Sequence, residues 1–216
     1  MRKLIILLSL VSFTTHGFAQ TETLQEKSFL TIRAGISMPT GKFGSLEGKD
    51  IDAGLALKGY NIAAEYGRYF SNYTGLGLTF GMRRNAIDMS AYNRSYFTNY
   101  YAETRWRTNY LLTNLYLKLL VSTNFNFYAK GGAGVTFNTY PVVTNSISKA
   151  TSDQKITADA LAYGFGAGFK GIIDNIGLGL EVYSLNTTPS FRPLSADYKQ
   201  EMNDVTIFAN LSFQLK

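Results

Sequence analysis

Strict alternation of apolar and polar side chains, over two long segments joined by a short turn, is the feature that most restricts how this chain can fold. The segments are 110–121 and 125–138, and Ser122-Thr123-Asn124 joins them. Successive side chains of a β-strand point to opposite faces, so each segment predicts a strand with one apolar face and one mixed face. The polar link has the length of a hairpin turn, so the two strands are expected to pair.

The same alternation recurs six more times along the chain. The further predicted strands are Phe29–Met38, Gly59–Phe70, Tyr73–Arg84, Asp159–Gly171, Ile176–Leu185 and Val205–Leu215. The seven connections alternate between long and short, which places all long loops at one end of an up-and-down sheet. Strands of about ten residues suit a tilted membrane crossing. The pattern therefore predicts an all-β fold, an eight-stranded antiparallel up-and-down transmembrane β-barrel.

The first residues have the features of an export signal. Met1-Arg2-Lys3 is followed by the apolar run 4–13 and then by Gly17-Phe18-Ala19. A charged start, a short apolar segment and small residues before a cleavage point are typical of a secretory signal peptide. The alternative, a membrane anchor, is disfavoured because the run is too short to span. We expect a signal peptide at 1–19, a barrel domain at 20–216, and a location in the cell outer membrane.

Composition excludes several kinds of chemistry. The chain has no cysteine, and its one histidine, His16, lies within the predicted signal peptide. A mature chain without either residue has no thiolate metal site, no disulfide and no imidazole base. We therefore expect no enzyme activity and no cofactor, although catalysis by carboxylates or lysine stays open. Loss of Arg2 and Lys3 with the signal lowers the formal net charge from +6 to +4, which suits an anionic lipid surface.

Glycines on the polar face indicate which face points inward. That face carries many glycines, such as Gly75, Gly77 and Gly166, and few charges. A soluble lipocalin-like barrel would instead show water a surface dense in lysine and glutamate. The apolar face ends in aromatic residues, as the girdles of membrane barrels do: Phe70, Phe125 and Phe127 near the short turns, and Tyr60, Phe137 and Tyr163 near the long loops. The pattern favours a membrane barrel with its apolar face outward.

The central hairpin also resembles a known family. Asn109–Leu119, of sequence NYLLTNLYLKL, and Phe127–Gly134, of sequence FYAKGGAG, are similar to the core hairpin of porin-family outer-membrane β-barrel domains, small barrels like OmpX and the OmpA membrane domain. Leu112 and Asn114 stand where family members often have glutamate and proline. The resemblance implies the architecture and a Gram-negative cell envelope. It implies no activity, since the family has no common one.

Strand parity places seven charged side chains inside the barrel. They are Arg33, Glu65, Arg83, Lys118, Lys130, Lys170 and Glu181. One interpretation is an ion-pair network that fills the lumen, with Glu65 and Glu181 bridging neighbouring cations. The interior of an eight-stranded barrel is just filled by side chains, and buried charges must be paired. The other is an anion-selective channel or a proton path. The filled lumen is the favoured interpretation.

The second long loop is the best candidate for recognition. Segment 93–107 mixes arginine with aromatic residues, which binding surfaces enrich: Arg94, Tyr96, Tyr100, Tyr101, Arg105, Trp106 and Arg107. The alternatives are a hairpin that extends above the membrane, or aromatics at headgroup level. Expected partners are outer-membrane lipid, the phosphates of lipopolysaccharide, a neighbouring envelope protein or an extracellular ligand. A location outside the cell disfavours nucleic acid.

These observations lead to one functional expectation with two alternatives. We expect a monomeric outer-membrane protein of structural or adhesion-like role, with a filled lumen and interacting loops. A narrow porin or channel is the first alternative. A soluble lipocalin-like ligand carrier, with the two faces reversed, is the second.

Overall fold

The computed structural model describes residues 28–46, 53–96, 99–122, 124–148, 156–192 and 198–215. The predicted signal peptide lies outside these ranges. In the described part, no helix is long and apolar enough to cross a membrane.

Antiparallel strands make up most of the described chain. In chain order they are β1 (Ser28–Pro39), β2 (Ala56–Tyr69), β3 (Thr74–Ile87), β4 (Tyr100–Ala102), β5 (Trp106–Ser122), β6 (Phe125–Thr139), β7 (Val143–Asn145), β8 (Thr157–Ile173), β9 (Ile176–Thr187), β10 (Ser190–Phe191), β11 (Tyr198–Lys199) and β12 (Asp204–Leu215). Two helices lie in the long loops, α1 (Gly41–Gly44) and α2 (Met89–Tyr96).

Eight of these strands close into a barrel. Their order around the wall is β1-β12-β9-β8-β6-β5-β3-β2, so each pairs with its neighbours in sequence and β1 pairs with β12. The four short strands form two small sheets, β4 with β7 and β10 with β11. The predicted eight-stranded antiparallel up-and-down barrel is confirmed. Its two ends are called here the long-loop end and the short-turn end.

The wall extends further towards the long-loop end than alternation predicts. Strand β3 continues to Ile87, β5 already begins at Trp106, and β9 continues to Thr187. The register is unbroken there, since Asn85 pairs with Trp106. The predicted boundaries were placed where apolar outward residues give way to polar ones. That change marks the edge of the apolar belt, whereas the hydrogen-bonded wall continues beyond it.

The outer face is apolar and the inner face is mixed, as the glycine pattern indicates. Many large apolar side chains that alternate outward are substantially exposed, among them Ile32, Ile36, Ile62, Leu76, Leu78, Phe80, Leu115, Leu117, Phe137, Leu161, Tyr163, Phe165, Leu178, Val182 and Ile207. Inward positions of the same strands are mostly buried. A barrel with this exposed surface is suited to a lipid environment.

Several inward glycines lie beneath aromatic rings. A Cβ atom added at Gly81 would lie 2.2 Å from the ring of Tyr110, and one at Gly166 would lie 2.6 Å from the ring of Tyr183. Cross-strand pairing brings Gly81 opposite Tyr110 and Gly166 opposite Tyr183. Each ring therefore lies against a wall position that has no side chain. The glycine-rich inner face provides space for large aromatic side chains in the lumen.

Candidate functional site: the charged lumen and the loop surface

Four charged side chains from four strands meet in the middle of the lumen. Arg33 lies on β1, Glu65 on β2, Lys130 on β6 and Glu181 on β9. Arg33 Nη2 lies 2.9 Å from Glu65 Oε2, and its Nη1 lies 2.7 Å from Glu181 Oε1. Lys130 Nζ lies 2.8 Å from Glu181 Oε1 and 3.5 Å from Glu65 Oε2. Two cations and two carboxylates thus form a closed ring of ion pairs, here called the charge layer, with no net charge.

Neutral side chains complete the hydrogen bonding of the two carboxylates. Tyr116 donates its hydroxyl hydrogen to Glu65 Oε1, and Tyr128 donates to Glu181 Oε2 at 2.8 Å. Thr79 donates to Glu65 Oε2 at 2.8 Å and accepts from Asn114 Nδ2, also at 2.8 Å. Every carboxylate oxygen of the charge layer therefore accepts at least one bond. This arrangement offsets the several kcal/mol that burying an ion otherwise costs.

Burial shows that the charge layer fills the barrel cross-section. Arg33, Glu65, Lys130 and Glu181 are each no more than 4% exposed. Towards the long-loop end, a buried cluster of mostly aromatic and aliphatic side chains covers it: Ala63, Tyr110, Leu112, Ala162, Tyr183, Leu185 and Phe208. Arg33 packs against Phe208, with its guanidinium carbon 5.2 Å from the ring centre, and Lys130 Nζ lies 5.0 Å from the ring centre of Tyr183. The charges are held between aromatic faces as well as by each other.

Arg83 lies in a second buried ion pair nearer the long-loop end. Its Nη1 donates to Asp204 Oδ1, and its Nη2 donates to Thr108 Oγ1 at 3.1 Å. Asp204 Oδ2 accepts from Ser37 Oγ at 2.9 Å and from Thr206 Oγ1 at 2.7 Å. The sequence interpretation missed Asp204 because it began the last strand at Val205. Extending the parity of that strand by one residue would have placed this carboxylate inside.

Lys118 and Lys170 lie at the short-turn end, apart from the charge layer. Lys118 Nζ is 4.4 Å from the ring centre of Tyr69, and Lys170 Nζ is 5.2 Å from that of Phe29. Both lysines line a small cavity that opens at this end. The seven predicted charges thus divide into the charge layer, one arginine paired with Asp204, and two lysines at the mouth.

Loops cover the opposite end of the lumen with an apolar cluster, here called the loop cap. Its buried members come from several long loops and from the ends of the wall: Phe43, Leu55, Ala56, Ile87, Ala91, Trp106, Phe191 and Met202. Trp106 contacts three aromatic rings, those of Phe43, Tyr140 and Phe191, at centroid distances of 5.6, 4.7 and 6.1 Å. The loops therefore have a core of their own above the lumen.

Trp106 is consequently not part of an exposed recognition surface, and its assignment to one is corrected here. It is only 2% exposed, and its Nε1 donates to the carbonyl oxygen of Gly54 at 3.0 Å. At the first residue of β5, its side chain points inward and packs under the loops. A large aromatic residue in a polar loop segment looks exposed in sequence, but burying its apolar area stabilises the folded protein.

The other predicted recognition residues are distributed over three elements. Arg94 lies on α2 and is exposed, Arg105 is exposed just before β5, and Arg107 is exposed near the start of β5. On β4, Tyr101 is 42% exposed, whereas Tyr100 is partly buried beside Tyr92. Tyr96 ends α2, and its side chain lies outside the described part of the structure. Sequence reasoning also passed over Arg84, whose parity on β3 places it on the outer face.

The fold and the sequence identify the family. The family model described as "Outer membrane protein beta-barrel domain" matches residues 5–213. The chain belongs to this family. The protein is therefore located in the cell outer membrane, and the resemblance to small outer-membrane barrels is confirmed. A soluble ligand carrier with reversed faces is excluded by the family and by the apolar outer surface.

Solved structures show the same fold at low sequence identity. Neisserial surface protein A (NspA) is 10% identical, with a TM-score of 0.54, and the match covers 87% of this chain and 97% of NspA. A major outer membrane protein from Thermus thermophilus is 9% identical, with a TM-score of 0.53, and the match covers 87% of this chain and 99% of that protein. No curated protein gives a significant match. In the described ranges, no cluster of three or more side chains is arranged to hold a metal ion.

Proposed function

We propose that this protein is a monomeric, non-conducting barrel of the outer membrane, with a structural or adhesion-like role carried by its long loops. The observation that carries the proposal is the charge layer. It joins β1, β2, β6 and β9 across the lumen through four contacts of 3.5 Å or less. A permeating ion would have to break these contacts and pass between side chains that are nearly fully buried.

The loop cap supports the same conclusion from the other end of the lumen. A channel needs a continuous water-filled path, and its binding sites must release ions as readily as they take them up. Here the buried aromatic cluster and the loop cap both lie between the charge layer and the outside. The narrow channel remains the competing function. The lysines at the short-turn mouth favour it, because they would attract anions.

Conductance distinguishes these two functions. The wild-type protein, refolded and inserted into planar lipid bilayers, is expected to give no ion-conducting steps. The positive control is a porin of known conductance in the same bilayers, since removing the charge layer alone would leave the aromatic cluster and the loop cap in the path. Anion-selective steps from the wild-type protein would establish the channel and overturn the non-conducting barrel.

The loop surface is proposed to bind an anionic partner outside the cell. Arg94 and Arg105 are exposed cations on different loop elements, and Tyr101 adds an exposed ring between them in sequence. Arginine beside aromatic side chains is typical of residues that dominate binding interfaces. The location and the family support surface interaction without naming the partner. We also propose a non-enzymatic role, since family membership brings no common activity and the mature chain expected here has no histidine.

Cells that display the protein provide the test of the loop surface. They are expected to retain fluorescent dextran sulfate, with neutral dextran as the uncharged control, and the R94Q/R105Q variant is expected to retain less. The matched control is K118M/K170M, which removes two cations from the short-turn end and leaves the loops unchanged. Equal retention by wild type and R94Q/R105Q would refute an anionic partner at this surface.

A further inference from the structure

Two arginines on the outer wall stand directly opposite each other at the upper edge of the apolar belt. Arg84 on β3 pairs in register with Arg107 on β5. Their outward parity is that of Met82 on β3 and of Leu111 on β5, whose apolar side chains are exposed towards lipid. Both arginines lie closer to the long-loop end than these residues. This pair is called here the wall arginines.

Like charges in directly opposite positions of neighbouring strands destabilise a sheet unless a counter-ion is present. None of the ion pairs formed among the described residues includes Arg84 or Arg107. A third cation, exposed Lys58, lies on the adjacent strand β2 near Tyr60, which is the register partner of Arg84. The local surface is thus strongly positive.

Arg84 is held in a defined position rather than extended into solvent. Its Nη1 and Nη2 both donate to Asn109 Oδ1, each at 3.2 Å, and Nη1 also donates to the carbonyl oxygen of Arg83 at 2.9 Å. These bonds use only part of its five N–H donors. Arg107 makes no side-chain hydrogen bond within the described part of the chain and is exposed beside it. One fixed and one adaptable guanidinium group therefore face the same space.

We propose that the wall arginines bind a phosphate group on the headgroup of a lipid in the outer leaflet. Guanidinium groups match phosphate oxygens with paired, charge-assisted hydrogen bonds. The site faces sideways at the edge of the apolar belt, which is the level of lipid headgroups, and the exposed ring of Tyr60 is of the kind that lies at this boundary. The occupant is lipid-borne phosphate rather than free phosphate, because the acyl chains would lie on the exposed apolar side chains directly below. This site rests on the outer-membrane location and does not depend on the proposed role of the loops.

Native mass spectrometry of the refolded mature chain tests this site with diphosphoryl lipid A as the probe. The wild-type protein is expected to retain one lipid A, and R84Q/R107Q is expected to bind it about tenfold more weakly, as the loss of two partly exposed ion pairs implies. The control K199Q removes one charge from an exposed position in the loop region, as R107Q removes one from the wall, and it should bind like the wild type. R107Q alone removes no side-chain hydrogen bond or ion pair within the described part of the chain, so it tests the site even if the double variant folds poorly.

Four outcomes would overturn the proposal. Equal binding by wild type and both variants of the wall arginines would show that these residues do not hold the lipid. A loss in K199Q as large as that in R107Q would show that only the total charge matters. Displacement of lipid A by inorganic pyrophosphate at the same concentration as the lipid would assign the site to free phosphate. Retention of dephosphorylated lipid A as strongly as the phosphorylated form would remove phosphate from the site altogether.

Discussion

Replacing Glu181 by glutamine should strongly lower the barrel's free energy of unfolding, without opening a path for ions through the lumen. The carboxylate of Glu181 accepts from Arg33 at 2.7 Å, from Lys130 at 2.8 Å and from the hydroxyl of Tyr128 at 2.8 Å. Glutamine keeps the shape but loses the charge, which leaves two buried cations with Glu65 as their only anion in the charge layer. Removing one partner of a buried, hydrogen-bonded ion pair typically costs about 3–5 kcal/mol. A loss of about 3 kcal/mol lowers the folding equilibrium constant about a hundredfold.

The assay is equilibrium unfolding in urea, with the protein inserted in lipid vesicles. The heat-dependent migration of the folded barrel on gels would report the fraction folded. The control is K130M/E181Q, which removes one cation and one anion together and restores neutrality. Its loss of stability should be smaller than that of E181Q alone, because no uncompensated charge remains. A loss below about 1 kcal/mol for E181Q, or a larger loss for the double variant, would refute the reasoning, since values this small are found for exposed pairs.

Other substitutions test the remaining layers of the lumen. D204N should cost about 3–5 kcal/mol by leaving Arg83 buried without its anion, and D204N combined with R83M should recover part of the loss in the same urea titration. G81A should cost about 1–3 kcal/mol because its new methyl group meets the aromatic ring that lies over the glycine. G131A is its matched control and should change stability by less than about 0.5 kcal/mol, since a Cβ there meets nothing closer than 4.0 Å. W106A should lower the stability of the loop cap by about 3–5 kcal/mol, because it removes a large buried side chain. Faster proteolysis of the loops, with an unchanged gel shift of the barrel, would show this.

The barrel could be predicted from sequence because the pattern that specifies it lies within each strand. Alternation within each strand determines which side chains point inward, so Arg33, Glu65, Lys130 and Glu181 were placed inside by parity alone. Parity did not determine which cations the two carboxylates would meet. Which charges meet depends on the stagger of the strands around the closed wall, and parity says nothing of the depth at which a residue lies. Five cations and two anions were therefore predicted inside the barrel. The inward carboxylate of Asp204 adds a third anion and reduces this imbalance.

The loops could be predicted less well, and the reason is physical. The β4–β7 and β10–β11 pairings join short segments within the loop region, and no local sequence pattern predicts such pairings. Trp106 lies at the junction of wall and loop, where its side chain packs against rings contributed by other loops. Its burial depends on these distant partners. Arg84 was overlooked for a different reason. An outward arginine at the edge of the apolar belt belongs to neither the lumen nor the loops.

The most direct measurement of the central claim, the filled lumen, is the reactivity of a cysteine placed inside it. The natural chain has no cysteine, so a single A63C substitution introduces the only thiol, at an inward position that is 3% exposed. I147C, at a turn position that is 82% exposed, is the accessible control. With a membrane-impermeant thiol reagent, we predict rapid labelling of I147C and no labelling of folded A63C until the barrel is unfolded by heat. Labelling of folded A63C at the rate of I147C would show a water-filled lumen and contradict the account.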